Sequence, residues 1–351
     1  IGKNSLTALT SGERNTAIGG GALQSNTTGY TNTAVGYEAL KSTTTGFRNS
    51  AFGDRTLQDN TTGEQNTAFG KEALANNTTA DNNTAVGYLA LNANTTGIEN
   101  VAMGSLSLYS NTTASNNTAV GRESLEANTT GGQGVAVGRK ALEANTTGDN
   151  NTAVGHFALG ANTTGGNNIA IGRDSLGANT TASNNTSVGY FALASNVSGS
   201  GLAAFGQGAL QNNTASNNTA LGAVTLQANT TGDANTAVGR SALTSNTTGV
   251  RNTAVGAYAL DAVTTSDQNT AVGYNALTAN TTGTYNTAVG AASLESHTTG
   301  NRNSAFGRAS LNNNTTGEDN TALGYYALVT QTTASDNTAV GSNALRYNTT
   351  G

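Results

Sequence analysis

The chain has 351 residues, with 45 glycines, one methionine and no proline, cysteine or tryptophan, a composition unlike that of an ordinary globular domain. Only 10% of the residues are charged and the net charge is −5, so there is no basic footprint for nucleic acid or an acidic membrane. Without cysteine there are no disulfides, thiol nucleophiles or thiolate metal sites, and no apolar run reaches the roughly 18 residues that span a bilayer.

From the first residues onward the chain is built of copies of one unit. A glycine, taken as the anchor, recurs at Gly2, Gly19, Gly36, Gly53, Gly70 and Gly87 and on to Gly341, in steps of 17 residues except the 16 between Gly206 and Gly222. A leucine follows four residues after each of the 21 anchors, as at Leu40, Leu57 and Leu91. The residue before the anchor is always apolar, for example Val35, Phe52, Met103 or Ile171, and the one before that is alanine except at Ser187. An asparagine such as Asn32 stands four before the anchor in 18 of 20 complete copies, Gly134 and Leu202 being the exceptions. One coil thus reads Asn-Thr-Ala-Val-Gly-x-x-Ala-Leu-x-x-Asn-Thr-Thr-Gly-x-x.

Such a period means stacked units that pair only with their neighbours. Seventeen residues suit two short strands, Thr-Ala-Val and one around Ala-Leu, joined by turns at Asn-Thr-Thr-Gly and at the Asn that opens each strand. The expected fold is an all-β solenoid of 21 coils running through residues 1–351 as a single continuous array. With coils about 4.8 Å apart it would form a rod on the order of 100 Å long. Aligned asparagines are expected to hydrogen-bond up the stack. The chain opens and closes inside a repeat, so it reads as a piece of a longer protein.

The second glycine of the coil is Gly in 15 copies and Ala80, Ala114, Ala182, Ala215, Ser266 or Ala334 in the other six. All six are followed by Asp or Ser (Asp81, Ser115, Ser183, Ser216, Asp267, Ser335). The expectation is a positive-φ turn at glycine, replaced elsewhere by a turn that an Asp or Ser side chain closes. The 16-residue step falls in a copy that keeps both strand motifs and shortens the Asn-Thr-Thr turn, so Leu210 and Leu226 should share a face. A loss inside a strand would have flipped them.

Catalytic chemistry finds little support. His156 and His297 stand at variable positions far apart and read as exposed spacers, while Asp54, Glu72, Glu123 and Asp174 form no fixed carboxylate pair. No lysine sits in a phosphate-loop frame, and Gly132-Gln133-Gly134 is repeat decay. No enzyme activity, cofactor or metal is expected. Asn-Thr-Thr triplets such as Asn26-Thr27-Thr28 match the glycosylation acceptor pattern, but a turn already explains them. Paired threonines raise the alternative of ice binding, against which adjacent strand residues point to opposite faces. The variable positions carry Tyr37, Arg122, Arg139, Tyr190, Arg240, Tyr274 and Tyr325 in no fixed order, an irregular surface that could touch glycans or proteins.

Strand alternation also bears on assembly. Ala34 and Val35 cannot both enter the same core, nor can Ala39 and Leu40 unless the chain turns between them. The expected interior holds Leu and Val, leaving Ala34, Ala51, Ala68, Ala85, Ala39 and Ala73 as a small-residue stripe for self-association.

The motif from Asn32 to Leu40, Asn-Thr-Ala-Val-Gly-x-x-Ala-Leu, resembles the Asn-Ser-Val-Ala-Ile-Gly-x-x-Ala repeats of YadA-like heads in trimeric autotransporter adhesins. The array also resembles those of long bacterial surface proteins and phage tail-fibre-like proteins. The resemblance covers all 351 residues but departs in period, those heads using coils of about 14 or 15 residues. It implies a left-handed β-roll, three parallel chains, an extracellular or cell-surface location, and a structural or adhesive fibre that meets surface glycans or matrix. An ice- or carbohydrate-binding solenoid and a phage tail fibre are the alternatives, and a lateral filament is the alternative to the trimer. No partner is expected in nucleic acid, and this segment is not expected to insert into a membrane.

Overall fold

The computed structural model describes residues 2–350. The chain divides into two compact stretches, residues 1–181 and 182–351. Both are stretches of an all-β parallel solenoid with a 17-residue repeat, one three-residue strand per coil. The first holds ten strands from β1 (Thr16–Ile18) to β10 (Ile169–Ile171), and the second ten from β11 (Thr186–Val188) to β20 (Thr338–Val340). Within each stretch a strand pairs in parallel with its counterpart one coil on, with no slip, as in Thr33 to Ser50, Ala34 to Ala51 and Val35 to Phe52. The shortened copy keeps this register, since Ala203, Ala204 and Phe205 pair with Thr219, Ala220 and Leu221. The loss is confined to the turn: Asn213 Nδ2 donates to the Ala215 carbonyl two residues on at 2.6 Å, where other copies bridge three residues. Leu210 and Leu226 are both buried, as the pattern requires.

The anchor glycine is demanded twice over. Gly53 has φ of 140°, a region that side chains rarely adopt. A Cβ there would lie 2.7 Å from the carbonyl oxygen of Gly70, because the anchors stack backbone on backbone. Gly36 and Gly87 show the same φ, 142° at each.

The expected second strand is not extended. Glu38 and Leu40 both have positive φ, 53° and 51°, and every anchor-plus-four leucine shares this left-handed conformation. That is how Ala39 and Leu40, though adjacent, are both fully buried. A non-glycine residue there costs about 1–2 kcal/mol, which burial of a leucine, at about 1.5–3 kcal/mol, offsets. Backbone pairing between coils survives, Leu40 N–H donating to the Thr56 carbonyl at 3.0 Å and Glu38 N–H to that of Gly20 at 2.8 Å.

The second glycine also departs from expectation, since its φ is outside the left-handed region. It is a close-approach site: a Cβ on Gly131 would meet the Gly148 carbonyl at 2.6 Å and Asn128 Oδ1 at 2.8 Å. The Asp or Ser that follows an alanine copy does bond backbone, but that of the preceding coil. Glu64 N–H donates to Asp81 Oδ1 at 2.7 Å, and Ile98 N–H to Ser115 Oγ at 3.0 Å. Asp149, which follows a glycine, does the same for Gly132 N–H, so this bond does not account for the pairing with alanine.

Candidate functional site

Each strand sends its middle residue inward and its two outer residues to the surface, so the inward column is alanine and the outward columns are Thr and Val or their replacements. Ala34, Ala51, Ala68 and Ala85, with Ala39 and Ala73, are fully buried. The stripe expected from sequence therefore lies inside the coil. The leucine and two asparagine columns fill that interior, and the space facing the strand takes only Ala or, once, Ser187, whose Oγ donates to the Ala192 carbonyl at 2.9 Å. The column left in solvent is the larger one. Val35 is half-buried, Val137 is 36% exposed, and Phe69 is 58% exposed.

The asparagines form two buried columns. In the first, Asn49 N–H donates to Asn32 Oδ1 at 3.0 Å while Asn32 Nδ2 donates to the Gly46 carbonyl at 2.8 Å. The second begins each Asn-Thr-Thr turn and is a side-chain amide ladder: Asn94 Nδ2 to Asn77 Oδ1, Asn111 to Asn94, and Asn128 to Asn111, each at 2.9 Å. The glycosylation triplets fall on this column, where Asn26, Asn60 and Asn77 are fully buried and closed to a modifying enzyme in the folded chain. The ladder also explains three orphaned acceptors. Asn26 Oδ1, Asn246 Oδ1 and Asn280 Oδ1 have no hydrogen-bond partner among the described residues, and the next rungs above them are Thr43, Val263 and His297.

His156 is exposed, but His297 is fully buried in the ladder, contrary to its reading as a spacer. It stands seven residues after Gly290, where most copies carry Asn, and that spacing was the available signal. Its Nε2 is 2.8 Å from the Gly300 carbonyl and so donates, leaving Nδ1 to accept from Asn314 Nδ2 at 3.4 Å. Burial holds its pKa below the usual histidine range. Below about pH 6.5 the unfolded chain takes up a proton that the folded coil refuses, so stability is full above that pH and falls toward the lowered folded value. His297→Asn is expected to flatten the loss of stability between about pH 7 and 5, read from hydrogen exchange in the surrounding coils. An unchanged slope would contradict this.

Carboxylates prove less scattered than the sequence implied. Asp174 pairs with Arg173 at 3.0 Å, Glu72 with Lys71 at 3.7 Å, and Asp54 lies 4.0 Å from Arg55. Glu123, however, comes together with Glu126 and Glu143, their oxygens within 4.8 Å of one another. Burial and the two neighbouring carboxylates push Glu126 up. Arg122 and Lys140 are interleaved with the three, Lys140 lying 2.7 Å from Glu143 and 3.5 Å from Glu123, so the charge is largely matched by side chains already present. The cluster was illegible beforehand because it joins two different repeat positions on adjacent coils. No helix of the described residues is long and apolar enough to cross a membrane.

A scan of protein-family models and a search of curated proteins find no match to the chain. Function has to be read from the faces of the coil.

Proposed function

We propose that the array is a rigid structural or adhesive segment of an extracellular fibre, in which identical chains pack in parallel through their strand faces. The observation that carries this reading is a balance of volumes on that face. Among the twenty strands, the first residue is Thr, Val or Ile except at Ser50, Ala203 and Ser304, and these three small residues share their strands with Phe52, Phe205 and Phe306. Phe69, beside Thr67, is the one phenylalanine of these strands without such relief. Both positions face outward, so a covering layer at constant distance gives a reason to conserve their sum. A second copy in the same register supplies such a layer, because each level then meets its own equal. An apolar column running over roughly 45 Å in each ten-strand stretch is also more than soluble monomers usually leave in water.

The resemblance to YadA-like heads and tail-fibre-like repeats favours three chains and a surface location. The ice-binding alternative has the outward Thr and Val columns in its favour, but Phe52, Phe69, Met103 and Phe306 interrupt the flat lattice that it needs. Sedimentation of the chain should give a mass three times 35.0 kDa. Phe69→Lys should reduce that mass while leaving the coils folded by circular dichroism. A stable, folded native monomer would overturn the reading.

A further inference from the structure

A second surface of the coil forms a polar groove. A cavity of about 490 Å3 is lined by Ser11, Thr28, Tyr30, Arg14 and Arg48, with Glu13 and Thr31 completing it. A second, of about 360 Å3, lies several coils further on between Thr113, Thr130, Asn116, Gln133 and Asn150. The two use the same repeat positions. One wall is the second residue after the ladder position (Ser11, Thr28, Thr113, Thr130), and the other is the left-handed residue before the strand-opening position (Arg14, Arg48, Asn116, Gln133), with φ between 56° and 62°. Shared backbone conformation points these side chains the same way, so the groove is a property of the repeat.

The walls carry hydrogen-bonding groups that the fold does not use. Thr27 Oγ1 is bonded to the Thr44 carbonyl at 3.1 Å, whereas the hydroxyls of Thr28, Thr113 and Thr130, on exposed residues, make no hydrogen bond among the described residues. Arg14 and Arg48 stand at equivalent positions two coils apart, about 10 Å by strand spacing, and neither forms an ion pair among the described residues. Between them Tyr30 is 41% exposed, its ring stacked on Phe47 at 4.7 Å and 7°, with Arg48 over the far ring at 5.5 Å. An aromatic platform held rigid by its neighbour, flanked by hydroxyls and by two guanidinium groups outside any ion pair among the described residues, with Glu13 the single carboxylate of the lining, matches a pyranose ring that bears a carboxylate.

We infer that this cavity binds an acidic saccharide, the sugar ring lying against Tyr30 and its carboxylate held by Arg14 and Arg48. Thr28 and Ser11 meet the sugar hydroxyls, and the separate cavity at Thr113 and Thr130 presents the same hydroxyl wall without the two arginines. The site uses no residue of the strand face and stands apart from self-association. The experiment is isothermal titration of the full chain with trigalacturonate and, separately, with maltotriose. Saturable binding of trigalacturonate only is expected, weakened about tenfold or more by Arg14→Ala, Arg48→Ala or Tyr30→Leu. These side chains are at the surface, and circular dichroism of each variant verifies the fold. Equal binding of the neutral sugar, no saturable binding, or affinity unchanged in the Arg14→Ala/Arg48→Ala double variant would overturn the inference. Sedimentation of the same samples reads assembly independently.

Discussion

Alanine at Gly138 should open the stack where it sits. The anchor has φ of 135°, and a Cβ would lie 2.5 Å from the Gly155 carbonyl oxygen. The backbone conformation costs about 1 to 3 kcal/mol for any other residue, and overpacking against an immovable carbonyl about as much again. Because each coil pairs only with its neighbours, the loss should be local, seen as faster amide exchange in the coils on either side of Gly138. Gly20→Ala is the comparison. Its Cβ would meet nothing closer than 3.6 Å, and other copies carry Ala223, Ala257 and Ala291 at that position. It should lie within about 0.5 kcal/mol of the native chain. Equal protection in the two variants would mean that the anchors do not stack as described.

The second large effect is expected from the amide ladder, in both directions. Asn111 Nδ2 donates to Asn94 Oδ1 at 2.9 Å and to the Ala114 carbonyl at 3.0 Å, and its Oδ1 accepts from Asn128. Asn111→Leu keeps the branching of the side chain, removes three bonds, leaves Asn94 Oδ1 buried without a partner and places two methyl groups where the smaller amide stood, a cost of about 2–4 kcal/mol. Val263→Asn does the reverse. It offers Asn246 Oδ1 its missing donor, and it should stabilise by about 1 kcal/mol despite the loss of a buried apolar side chain. Denaturation midpoints of the two variants measure this. A neutral Asn111→Leu together with a destabilising Val263→Asn would show that the ladder contributes no net stability.

Much of the fold was legible because the repeat states it many times over. The glycine anchor, the invariant leucine, the strand-opening asparagine and the tolerance of the 16-residue step all follow from spacing alone. Conformation at the leucine was not legible. Propensity argues against leucine at positive φ, and only the need to bury Ala39 beside Leu40 forces it. The exchange of alanine and valine between inside and outside has a similar cause. Size ranks Val35 as the core residue, whereas the narrow space facing the strand admits a methyl group and the larger side chain is turned out. Within the candidate faces, the pairing of Ser50 with Phe52 was on the page as sequence, but its meaning depended on knowing that both point the same way. The cationic and aromatic lining at Arg14, Tyr30 and Arg48 was not legible, since it joins variable positions from three coils.

The chain contains no cysteine, so one introduced thiol reports one contact. Val137 lies on the strand face in the eighth of the first stretch's ten strands, 36% exposed. If identical chains meet level by level, Val137→Cys treated with a short bismaleimide should give covalent dimers of twice 35.0 kDa, while a cysteine in place of exposed Asp149, off that face, should not. Only single chains from Val137→Cys, under conditions where Asp149→Cys behaves alike, would contradict strand-face assembly.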